Sequence, residues 1–101
     1  MKLFTKSIYD RLVQNHKNQD GTKSFNAVVK LFNPTGRGTW YLSELNPETN
    51  VAYGLCCLDY KEYGLVSIDE IQSYKGLMGL GIERDKFFES NKKTLEECRS
   101  L

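Results

Sequence analysis

Arg84 stands between Glu83 and Asp85, and a guanidinium flanked by carboxylates can do two kinds of chemistry. Its planar fork can hold a phosphate or carboxylate bidentately, or Glu83 and Asp85 can serve as a carboxylate pair on one face of an extended segment. The structural alternative is simpler. Arg84 is then clamped by a neighbouring carboxylate, or by backbone carbonyls that hold the glycine-rich segment before it, an interaction of modest worth if exposed. A second constellation is Trp40, Tyr41 and Glu44. Strict alternation along a strand puts Trp40, Leu42 and Glu44 on one face and Tyr41 and Ser43 on the other. Trp40 is either a core ring with Glu44 at the rim or a half-exposed platform for bases or a protein, and burial is the usual use of a lone tryptophan. Tyr53, Tyr60 and Tyr63 with Glu62 and Gly64 form a third. That composition suits protein contact and equally suits a turn whose rings cover a sheet edge.

The basic residues are unevenly placed. Residues 1–30 hold Lys2, Lys6, Arg11, Lys17, Lys23 and Lys30 against Asp10 and Asp20, while the rest of the chain is acidic on balance and the formal net charge is +1. Six lysines and arginines on one face would attract a nucleic-acid backbone through counterion release; spread out, they are an ordinary solvated surface. The near-zero net charge excludes an acidic DNA mimic and a strongly basic nucleic-acid binder.

Metal and nucleophile chemistry find little support. Cys56 and Cys57 are adjacent, Cys98 is alone, and His16 is the one histidine. No CxxC or Cys/His quartet is present, and neighbours on a strand point to opposite faces, so no metal and no cofactor are expected. Buried thiols in a reducing compartment are the simpler account. His16 falls near a helix C-terminus, where its partial positive charge suits the dipole. GxSxG, HExxH and GxxxxGK[ST] are missing, and Gly76 to Gly81 (GLMGLG) follows a helix rather than a strand, which argues against a phosphate loop and for a bent connection tucking Leu77, Met78 and Leu80 into the core. These absences weigh against an enzyme.

The positioning elements follow from periodicity. With 101 residues, 40% hydrophobic and 27% charged, the chain suits one domain over 1–101, its compact part spanning about 3–89 and 90–101 forming a tail or short, fraying helix. Thr5 or Ser7 caps a helix from about Lys6 to His16, with Ile8, Tyr9, Leu12 and Val13 on one face. Strands are expected at Phe25–Phe32, Thr39–Leu45, Val51–Leu58 and Tyr63–Val66, separated by Asn-Pro-Thr-Gly and Asn-Pro-Glu-Thr-Asn turns. Ser67 with Glu70 is a capping-box pattern opening a helix to about Tyr74, and Phe87 and Phe88 are expected to anchor the segment that follows. The fold class is therefore α+β. A four-stranded antiparallel β-meander carries an N-terminal helix and a short helix after the last strand, packed on the sheet. The start MKLFTKSIYDR has no apolar signal region and no stretch of 18 apolar residues occurs, so a cytoplasmic protein without membrane contact is expected.

Several of these pieces, in order, resemble the domain of unknown function 2958, an uncharacterised bacterial family of plasmids, conjugative elements and phages. They are Leu3-Phe4-Thr5, Val29 to Pro34, Thr39-Trp40-Tyr41 with Glu44 and Pro47, Tyr53-Gly54-Leu55, Glu62-Tyr63-Gly64, Ser67 to Ile71, Gly76-Leu77 to Gly81, and Ile82 to Asp85 with Phe87 or Phe88. Cys56-Cys57 and the Lys/Asn-rich tail depart from the pattern. The resemblance implies a mobile-element context and no activity. Three functions stand side by side. The first is a protein-interaction module, monomer or weak homodimer, using Trp40, Tyr41, Tyr53 and Tyr63 rimmed by Glu44, Glu62 and Arg84. The others are a DNA-binding accessory protein using the basic third, and a small enzyme with Glu44, Glu62, Glu83 and Asp85 around Arg84.

Overall fold

Thr5 begins the first helix: its hydroxyl accepts the N–H of Ile8 at 3.1 Å, and α1 runs over Lys6–Asn18. The computed structural model describes residues 3–101, and Lys2 lies outside them. Leu12 is the apolar anchor of α1, fully buried, with Ile8 and Val13 packed beside it. Five antiparallel strands follow: β1 (Val29–Phe32), β2 (Thr39–Asn46), β3 (Val51–Cys57), β4 (Lys61–Ser67) and β5 (Glu83–Arg84), in the order β4-β3-β2-β1-β5.

The sheet thus has five strands where the residue pattern predicts four. The extra one, β5, pairs Glu83 with Phe32 and Arg84 with Leu31, and Asp85 N–H donates to the Lys30 carbonyl at 2.9 Å. It is two charged residues held by backbone bonds, so it has no hydrophobic signature to read. Other boundaries shift as well. β4 is seven residues long rather than four, and Phe25–Val28 is not regular strand but reaches the C-terminal segment through an Asn26–Thr94 bridge.

Alternation divides the sheet into two faces. Val29, Leu31, Trp40, Leu42, Leu45 and Ala52 form the larger core with Leu3, Leu12, Ile68 and Ile71. This face is covered by α1 and by α2 (Ile68–Ser73), whose cap is the Ser67 hydroxyl accepting the Glu70 N–H at 3.2 Å. On the other face Tyr41 and Leu55 pack with Ala27, Leu95 and Cys98. Leu95 and Cys98 belong to α3 (Leu95–Arg99), which opens with a reciprocal capping box between Thr94 and Glu97. The compact body therefore extends past residue 89, because two buried side chains dock α3 on the sheet.

The glycine-rich segment does not tuck its side chains inward. Leu77, Met78 and Leu80 are exposed, and the turn satisfies itself through Gly76 N–H to Leu80 O at 2.7 Å and Gly79 N–H to Gly76 O at 3.0 Å. With its polar backbone groups internally bonded, the loop needs no covering. Phe87 is likewise exposed; Phe88 alone anchors the following segment, 5.9 Å from the Tyr41 ring.

Candidate functional site

One irregularity in β2 sets Glu44 beside a concavity. The pairing of β2 with β3 slips between Leu42 and Glu44, so that Leu42 faces Gly54 while Glu44 faces Tyr53. Ser43 is the extra residue of a bulge, and a bulge re-aims whatever follows it. Glu44 is thereby moved off the face it would share with Trp40 and Leu42 under strict alternation. It joins the face of Tyr41 and Tyr53, while Leu45 takes the core position. The bulge is fastened from behind by Asn15, a buried α1 residue whose side-chain amide donates to the Ser43 carbonyl at 2.9 Å.

Beside Glu44 lies an open groove of about 1000 Å³. Tyr53 (β3), Tyr63 and Leu65 (β4) line it on one side, Phe25 from the linker and Leu95 from α3 on others, and His16 and Gln19 from the end of α1 reach one end. Glu44 is only 7% exposed, and its Oε2 accepts the Gln19 side-chain amide at 3.0 Å. Gln19 is a small hub. The same Nε2 donates to the Lys23 carbonyl at 2.8 Å, and Oε1 accepts the N–H of Gly21 at 2.9 Å and of Lys23 at 3.2 Å. The loop after α1 and the carboxylate of β2 are therefore set by one amide. Ser43 Oγ, also buried, has no hydrogen-bond partner among the described residues.

Of the residues singled out by type and spacing, Glu44, Tyr53 and Tyr63 meet in this groove with Lys23. Arg99 lies 5.8 Å over the Tyr63 ring. The others are elsewhere. Trp40 is buried in the core under α1, and Tyr41, on the same face of the sheet as the groove but outside its lining, is buried against Phe88, with the Lys30 ammonium 5.6 Å from its ring. Glu62 is an exposed residue of β4, whereas Glu83 and Arg84 form β5 at the far edge of the sheet. The sheet separates the carboxylates of β4 and β5 by four strand spacings, about 19 Å, so they do not gather around Arg84. The Arg84 guanidinium donates to the Leu3 carbonyl at 3.0 Å beside a smaller cleft of about 300 Å³. Asp85 accepts the Phe87 N–H at 2.9 Å and lies 3.6 Å from the Lys30 ammonium.

The basic residues take separate places. Lys6 pairs with Asp10 at 2.7 Å on exposed α1, which also carries Arg11 and Lys17; Lys23 lines the groove; Lys30 is on the groove face of the sheet, across from Tyr41. Among the described residues no group of three or more His, Cys, Asp or Glu is placed to hold a metal ion, and no helix is long and apolar enough to cross a membrane.

The thiols are set against nucleophilic work. Burial pushes Cys56, Cys57 and Cys98 above the ordinary thiol range, with the nearby Cys57 and Glu62 raising Cys56 further. A raised pKa leaves little thiolate at neutral pH. Alkylation of Cys98, 1% exposed, is accordingly expected to run at least about tenfold slower than for an unfolded control at pH 7.5. Peptide mapping after timed iodoacetamide treatment checks it, and equal rates would contradict the docking of α3.

A family model described as "Protein of unknown function (DUF2958)" matches residues 3–97. The chain belongs to this family. The DUF2958 span contains α1, α2, all five strands and the start of α3, and with them the whole lining of the groove from His16 to Glu96. Comparison with curated proteins and with solved structures gives no match.

Gln19, Ser43, Leu65 and Phe25 are among the groove residues that residue type alone does not find. One signal for the bulge exists in the DUF2958 region. Leu42 and Leu45, three apart in a strand, fall on opposite faces under strict alternation, yet both are fully buried in one core, which requires one extra residue between them.

Proposed function

We propose that the protein is a non-catalytic interaction module, an accessory factor of a mobile genetic element, that takes a segment of a partner protein in the groove. The observation that carries the reading is a nearly buried carboxylate, Glu44, held by a neutral amide at the edge of an aromatic-walled concavity. A nearly buried carboxylate bonded to a neutral amide favours a cation, and charge-assisted bonds of this kind are the strong ones. A lysine or arginine of the partner can direct its head to Glu44 and lay its stem along Tyr53, as amphipathic side chains do. Tyr63 and Leu65, the latter 74% exposed, supply apolar contact beside it. Trp40 and Arg84 do not enter this surface.

Capture of the tagged protein's partners from host lysate, at low and high salt and with nuclease, followed by titration of the isolated partner, tests the proposal. Glu44→Gln keeps the shape and removes the charge, and Tyr53→Ala removes a wall; each is expected to weaken binding by about tenfold or more. Capture that disappears with nuclease shifts the function to DNA. A partner whose affinity is unchanged in both variants sinks the groove reading.

A further inference from the structure

Strand β4 is a sheet edge along its whole length, its seven residues paired with β3 on one side only. Such an edge is a template for another strand. The Ile68 N–H donates to the Asn50 carbonyl at 3.0 Å, which sets the alternation of the antiparallel ladder. Backbone groups of Glu62, Gly64 and Val66 turn toward β3, and those of Lys61, Tyr63, Leu65 and Ser67 turn outward. Charge guards only the start of the edge, and there the Lys61 ammonium is drawn away to the carbonyls of Arg99 at 2.6 Å and Leu101 at 3.1 Å. From Tyr63 to Val66 the edge carries no charge, and Leu65 is largely bare.

We propose that β4 pairs with β4 of a second copy, antiparallel about a two-fold axis at Gly64, which joins two sheets into one and runs the two grooves together. This goes beyond the interaction-module reading and stands without it. An axis perpendicular to the sheet keeps like faces together, so the choice near the strand centre is among Tyr63, Gly64 and Leu65. With the axis at Gly64 all seven residues pair. Tyr63 then lies opposite the second copy's Leu65, twice over, covering the exposed apolar pair on the groove face. Lys61 meets Ser67 and Glu62 meets Val66, so no like charges oppose each other. An axis at Tyr63 leaves Val66 and Ser67 outside the β4 pairing and sets Lys61 against Leu65. One at Leu65 leaves Lys61 unpaired and sets Glu62 against Ile68, already the first residue of α2. Because Tyr63 and Leu65 form the β4 wall of the groove, the second copy extends that wall and completes the site on its open side. Seven residues a side is a small interface, so the dissociation constant is expected in the range of about 10–100 µM.

Sedimentation of the full chain from about 10 µM to about 1 mM is expected to show a mass rising toward twice 11.6 kDa. A Cβ on Gly64 meets nothing within 4 Å, so Gly64→Lys and Gly64→Glu leave the single copy folded but set two like charges face to face on the axis. Each variant alone is expected to dimerise at least about tenfold more weakly, and an equimolar mixture to regain the dimer through Lys against Glu. Amide exchange at Tyr63 and Leu65 should slow with concentration in the wild type and not in either variant. Three results overturn the inference: a wild type that stays monomeric at about 1 mM, a dimer undiminished in both variants, or a mixture that fails to recover it. Protection of Tyr63 and Leu65 that arises only when an extended peptide is added to a monomeric wild type assigns the edge to a foreign strand instead.

Discussion

Gly54→Ala is expected to melt about 10–25 °C below the wild type, a loss of about 3 kcal/mol or more. Gly54 lies opposite Leu42, at the last regular pair before the bulge. A Cβ built there collides with the Tyr41 carbonyl oxygen and comes within 2.8 Å of Leu42 Cα, both backbone atoms. Neither can rotate away as a flexible side chain would, so β2 and β3 must separate at the point where their register changes. Gly64, the neighbour of Gly54 across β3 and β4, is the internal control. Open space around its Cβ position makes Gly64→Ala neutral or slightly stabilising, since alanine lowers the entropy of the unfolded chain. Thermal and urea unfolding followed by circular dichroism give both numbers. If Gly54→Ala melts within about 3 °C of the wild type, the close approach of the two strands is not the constraint described. The same substitution should disturb Glu44, two residues beyond Leu42, so any affinity for a partner is expected to fall in whatever fraction remains folded.

Local chemistry made much of this architecture legible. Thr5, one of the two candidates for the first cap, and Ser67 cap their helices because a side-chain oxygen and an N–H three residues on need nothing else. The central strands could be placed because β-branched and aromatic runs bounded by Asn-Pro turns carry their own signature. What escaped depends on residues distant in sequence. β5 exists only through pairing with β1, about fifty residues earlier; a short helix within 90–101 is legible from its own residues, but its docking on the sheet rests on Leu95 and Cys98 against Tyr41 and Leu55, which a five-residue length does not announce. The apolar residues of the GLMGLG segment misled for the opposite reason: a turn that satisfies its own backbone can leave Leu77 and Met78 in solvent. The groove draws on both limits. Glu44, Tyr53 and Tyr63 are visible as types, but their meeting depends on a one-residue bulge, and Gln19, which orients Glu44, is an unremarkable polar residue at a helix end.

The dependence of the groove on α1 leads to the second large effect, expected for Leu12→Ala. Leu12 is fully buried between the helix and the sheet, and truncating such a leucine removes its transfer free energy and leaves a cavity, together about 2–5 kcal/mol. For a domain of this length that is a fall in melting temperature of about 10–30 °C. The loss should also reach the groove. Asn15, one turn after Leu12, fastens the Ser43 carbonyl, and Gln19, one turn further, holds Glu44, so a loosened helix frees the bulge and the carboxylate together. Leu12→Met separates the two consequences: it nearly conserves volume, at about 1.5 kcal/mol or less, and should retain the Gln19–Glu44 contact. The measurement is unfolding by urea together with the side-chain amide resonances of Asn15 and Gln19. In Leu12→Ala both resonances are expected to move toward random-coil positions below the melting transition, and in Leu12→Met to stay. Were Leu12→Ala destabilised with both amides unmoved, the helix would be contributing stability to the sheet without positioning Glu44, and the groove would owe its geometry to the bulge alone.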